Sequence, residues 1–103
     1  MTEPDDAAVH AQRAEMGISH DDFFRVFPTV ITPASWRREG LSVFVDWPEG
    51  ARLTVTLSVQ KLRRIASLSL PYVDIGFAFF AMATTEREGF LARFDRAFQK
   101  GGG

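Results

Sequence analysis

The chain has 103 residues, 46% of them hydrophobic, and its 12 Lys and Arg against 13 Asp and Glu leave a net charge of −1. That length makes one domain with enough apolar material to fold without metal or disulfide support. Near-neutrality excludes a global field that would draw in nucleic acid or an anionic membrane. The absence of cysteine excludes disulfide frameworks, thiolate nucleophiles and cysteine-ligated metals.

Residues 1–16 hold no apolar run of the signal-peptide kind. The longest apolar stretch, residues 73–83, is too short to span a bilayer and is interrupted by Asp74. The expectation is a cytoplasmic protein without membrane association. Residues 1–17 are the least determined: Asp5 or Asp6 would cap a short helix running through Glu15 to a stop at Gly17. Alanine dominates its apolar set, which favours helix and buries little area. A weakly ordered arm or short helix is expected there, ahead of a single α+β domain over residues 18–103.

Ser19 with Asp22 reads as a capping box, with Ile18 and Phe23 placed as a hydrophobic staple. Asp21 and Asp22 complement the helix dipole in the first turn. Phe23, Phe24 and Phe27 make the apolar stripe of a short helix that Pro28 is expected to end. Residues 29–32 are all β-branched and predict a short edge strand closed by Pro33. A polar loop carrying Trp36, Arg37 and Arg38 follows.

Residues 41–59 are the strongest signal in the chain. Trp47-Pro48-Glu49-Gly50 is a turn in which Pro48 presets φ and Gly50 supplies the left-handed conformation. Pairing Trp47 with Ala51 sets Val45 opposite Leu53, Val43 opposite Val55 and Leu41 opposite Leu57. The other face then pairs Asp46 with Arg52, Phe44 with Thr54 and Ser42 with Thr56. One register therefore sorts the large aliphatic residues to one side and opposite charges to the other.

Residues 59–72 fit both a helical and a strand pattern. A bend over 60–64 is preferred, followed by a strand that turns or kinks at Pro71. Residues 73–83 predict a strand with Val73, Ile75, Phe77 and Phe79 on its core face. The closing helix is capped by Thr85 with Glu88, carries Phe90, Leu91, Phe94, Ala97 and Phe98 on one stripe, and stops at Gly101. Together these elements predict an α+β two-layer sandwich. An antiparallel sheet of about four strands would carry the long C-terminal helix and the short N-terminal one on the face of Val43, Val45, Val55, Leu57, Ile75 and Phe77.

No catalytic set emerges. His20-Asp21-Asp22 is the one cluster of metal-ligand types, but capping explains its acids and the only other histidine, His10, lies in the undetermined arm. Neither a metal nor any other cofactor is expected. Among Asp46, Glu49 and Asp74, the first faces Arg52, which favours its charged form, and Asp74 reads as an edge or salt-bridged residue. Trp36-Arg37-Arg38 and Lys61-Leu62-Arg63-Arg64 are basic clusters that would contact phosphates in a nucleic-acid module, with Arg37, Arg38, Lys61, Arg63 and Arg64 as the contacts. The net charge and the lack of aromatic nucleic-acid motifs weigh against that reading.

The terminal Gly101-Gly102-Gly103 is similar to the Gly-Gly ends of sulfur-carrier and ubiquitin-like proteins, a resemblance that implies a carboxylate adenylated by a partner enzyme. The chain departs from that pattern upstream, where an amphipathic helix stands in place of a β-strand. The remaining feature is a second apolar sheet face. Phe44, Phe80 and Met82 would be its anchors, with Trp36 and Tyr72 at the rim. A face this rich in apolar side chains is expected to be covered, either by the N-terminal helix or by a protein partner or a second copy. The function expected from sequence is that of a non-enzymatic interaction or accessory domain.

Overall fold

A computed structural model describes residues 8–102 of the chain. In chain order the elements are β1 (Val9–Met16), α1 (His20–Ile31), β2 (Ser35–Glu39), β3 (Ser42–Asp46), β4 (Arg52–Leu57), β5 (Lys61–Ile65), β6 (Leu68–Phe80) and α2 (Thr84–Gly102). The strands pair antiparallel in the order β1-β6-β4-β3-β2, and β5 pairs with β6 beyond the end of β4. This is the α+β sheet-and-helix architecture expected, with six strands rather than about four.

The β3–β4 hairpin has the register read from sequence, from Ser42 opposite Thr56 to Asp46 opposite Arg52. Its turn closes through the Gly50 N–H donating to the Trp47 carbonyl at 3.0 Å, with Gly50 at φ +109°. Alternation then places Val43, Val45, Leu53, Val55 and Leu57 on one buried face, continued by Val73, Ile75, Phe77 and Phe79 of β6. Both helices cover that face, and seven of the ten phenylalanines meet there: Phe23 and Phe27 from α1, Phe77 and Phe79 from β6, Phe90, Phe94 and Phe98 from α2. Each is worth roughly 1.5–3 kcal/mol of transfer free energy. They pack edge-on and offset, as between Phe77 and Phe94 at 5.0 Å.

Several local expectations are corrected. Residues 9–16 form a strand on β6, not a helix, because pairing with β6 outweighs the helical preference of alanine; the caps Asp5 and Asp6 lie outside the described residues. Arg13 ties this strand to α2 by a two-pronged ion pair with Asp95 at 2.8 and 2.9 Å. The Ser19–Asp22 capping box is present, but α1 runs through Pro28 to Ile31. Val30 and Ile31 extend the Phe23–Phe27 stripe into the core, and their burial offsets a proline cost of about 3 kcal/mol. No edge strand forms over 29–32. Residues 35–39 are strand β2 rather than a loop, paired with β3. The cap of α2 sits two residues earlier than expected: Glu86, not Glu88, accepts a backbone N–H, that of Ala83, at 3.1 Å. The helix then continues past Gly101 to Gly102.

The 60–64 bend is also replaced, by strand β5. It pairs with the first residues of β6 from Lys61 opposite Tyr72 to Ile65 opposite Leu68, around the turn Ala66-Ser67. Pro71 lies inside β6 opposite Leu62, in a stretch flanked by a strand on one side among the described residues, where a missing donor is tolerated. The β5–β6 ribbon is an arm that projects from the sandwich. The molecule measures 54 × 27 × 23 Å with a radius of gyration of 14.6 Å, against about 13 Å for a compact chain of this length.

Candidate interaction surface

Among the described residues no element covers the sheet face opposite the helices. Cross-strand register sets His10, Ala78, Thr54, Phe44 and Arg37 in one row across it, and Gln12, Gly76, Thr56, Ser42 and Glu39 in the next. Phe44 and Phe80 are half-buried on this face, and each has an arginine over its ring: Arg37 at 4.5 Å from the Phe44 centroid and Arg52 at 4.8 Å from Phe80. Arg38 covers Phe24 on the helical side at 3.7 Å. The three phenylalanines outside the core are thus sheltered by guanidinium groups, which stack on aromatic faces while staying hydrated.

The arm has no such shelter. Leu62, Ile65, Leu68 and Leu70 are exposed, between 42% and 66%. Ile65, Leu68 and Leu70 continue the row of the open face along β6, because residues paired across β5 and β6 share a side. An isolated two-stranded ribbon is marginal in water, and this one carries aliphatic residues where solvent-facing strands carry polar ones.

Its base is held by a polar cluster. A bulge between Arg13 and Met16 puts Glu15 at φ +52°. Its N–H donates to Asp74 Oδ1 at 2.7 Å, and its carboxylate accepts from Arg63. Lys61 Nζ lies 3.4 Å from Asp74 Oδ2, and the Asp74 N–H donates to Ser58 Oγ at 2.9 Å. The Glu15 N–H, and after it Lys61, hold the Asp74 carboxyl below the ordinary carboxylate range. Asp74 is therefore the salt-bridged residue expected, and its partners lock the arm to β1.

The proposed anchors separate. Phe44, Phe80 and Tyr72 share the open face, where Arg63 lies 5.0 Å from the Tyr72 ring. Trp36 pairs with Val45 and so points to the helical side. Met82 follows Ala81, at φ +55°, and packs on the core beside Trp47 and Phe90. The basic clusters do not converge on one groove. Arg37 is bound to Glu39, Lys61 to Asp74 and Arg63 to Glu15, while Arg38 and Arg64 lie on the other side of the sheet.

His20 is engaged locally: its ring Nε2 donates to the Ser58 carbonyl and its N–H to Gln60 Oε1, both at 2.8 Å. Asp22 is held by Ser19 and Arg25. Among the described residues no group of three or more His, Asp or Glu is placed to hold a metal, and no helix is long and apolar enough to cross a membrane. Asp46 faces Arg52 in register, but that guanidinium lies over Phe80 instead. Glu49 lines an open cavity of about 210 Å³ with Trp47, Met82 and Arg93. Leu62, Ile65, Leu68 and Leu70 are the residues that sequence reasoning missed as surface features, because nothing marked the turn that exposes them. Comparison with protein-family models, with curated proteins and with solved structures gave no match.

Proposed function

We propose that this protein is a non-enzymatic interaction domain that docks through its open sheet face and the arm continuing it. The observation carrying the reading is the arm's exposed aliphatic row, Ile65, Leu68 and Leu70, on the same side as Phe44, Tyr72 and Phe80. Exposed apolar surface of this continuity belongs to interfaces, with the leucines as anchors and the arginine-capped rings around them. The test compares the protein with an L68S/L70S variant as baits in extract of the source cells, alongside self-association of each. Both side chains are exposed, so the variant keeps its Tm. The wild type is expected to retain a partner, a second copy or another protein, that the variant loses. Equal retention by both would contradict the reading.

A further inference from the structure

We infer that the partner is a second copy of this chain, the arm of each molecule lying on the open face of the other with the two β6 strands antiparallel about a two-fold axis at Asp74. This rests on the interaction reading and names its partner.

Strand β6 runs from Leu68 to Phe80, and Asp74 is its middle residue. An isologous contact pairs residue i with j and j with i, so an axis there sets Leu70 over Ala78 and Tyr72 over Gly76, twice. Leu68 falls over Phe80 at the outer end, and between that ring and the axis the row is small and recessed at Gly76 and Ala78. The recess is a groove of about 290 Å³ between His10 and Gln12 on one flank and Thr54 and Thr56 on the other. Nothing inside the molecule requires glycine at 76: an added Cβ would meet only the Thr56 carbonyl oxygen, at 4.0 Å. The missing side chain leaves room there for another chain to come close.

Charge selects the same arrangement. On its docking side the arm presents Lys61 and Arg63, and residues 59–73 hold no acidic residue. Apart from Asp74, which Lys61 holds, the open face balances Glu39 and Asp46 against Arg37 and Arg52. Arm against arm would bring like charges together; arm against face does not. At the axis each Asp74 brings its own Lys61. A basic, aliphatic arm also suits an anionic lipid surface, but such a surface makes no use of a matching groove.

The chain has no cysteine, so single variants L70C and A78C report the register on a clean background. A short bifunctional thiol reagent is expected to join L70C to A78C in an equimolar mixture and neither variant to itself. Positions 70 and 78 lie eight residues apart, about 26 Å along a strand, which separates like positions in the two copies. Sedimentation of the wild type is expected to show a concentration-dependent dimer, lost in L68S/L70S. Self-linking of L70C would overturn the arrangement. A wild type that stays monomeric but retains another protein through its arm overturns the dimer and leaves the interaction reading standing. A monomer that retains nothing, or binds only phosphatidylserine vesicles, overturns both.

Discussion

Ala66 occupies a turn position that glycine or asparagine would normally fill. Its φ of +55° places an L-residue in the left-handed region at a cost of about 1–2 kcal/mol. Replacing it with glycine relieves that strain but frees the unfolded chain, so Ala66→Gly is predicted to raise stability by about 0.5–1 kcal/mol. Chemical denaturation reads this directly, and a loss of stability would show that the turn is unstrained. Asp74 carries the second prediction at this level. Because its carboxyl titrates below the unfolded value of 3.8, its contribution is present above that value and lost as pH falls through the folded one. Acid therefore loosens the arm's base while the phenylalanine core persists. Protection of the Glu15 amide in hydrogen exchange should fall below about pH 4, and Asp74→Asn should reproduce that loss at neutral pH with little change in Tm. A Glu15 amide equally protected in the variant would mean that the bulge alone holds it.

The elements differ in how plainly the chain announces them. The β3–β4 hairpin is written in local chemistry: Pro48 and Gly50 define the turn, and the aliphatic residues of both strands agree on one register. Helix α1 has its cap in sequence, but its end depends on Val30 and Ile31 finding the core beyond Pro28. Strand β1, with Ala11 and Ala14 and no strong strand pattern, becomes a strand because β6 offers it an edge. Strand β5 was hidden for another reason, since Ala66-Ser67 lacks the Asn-Gly or Asp-Gly signature of a two-residue turn. The apolar second face was legible as a pattern. Its reach was not, because Trp36 and Met82 change sides with a strand and a positive φ that no periodicity reveals. The packing between elements gives a sharp prediction. Phe94 is fully buried and contacts the rings of Phe23, Phe27, Phe77, Phe90 and Phe98. Phe94→Ala is predicted to cost about 3–5 kcal/mol, read as a large fall in denaturation midpoint. A cost under about 1 kcal/mol, the range of surface changes, would mean that α2 does not seal this core.

Taken whole, the molecule is a well-packed sandwich from which one under-protected ribbon extends. The helical side absorbs seven phenylalanines, and arginines shelter the other three. Among the described residues that leaves the arm's leucines and isoleucine exposed, together with Val9, Trp36 and Val59 elsewhere. In the proposed dimer the small recess at Gly76 and Ala78 receives the arm's bulky row, and like charge keeps the two arms apart. The same polar cluster that anchors the arm to β1 would hold it at a fixed angle for docking. The measurement that bears most directly on this is the solution mass by light scattering, across a concentration series, of the wild type beside L68S/L70S. The account predicts a wild-type mass rising towards twice 11.5 kDa and a variant that stays at the monomer mass with an unchanged Tm. Wild type and variant both monomeric throughout, or both dimeric, would contradict it.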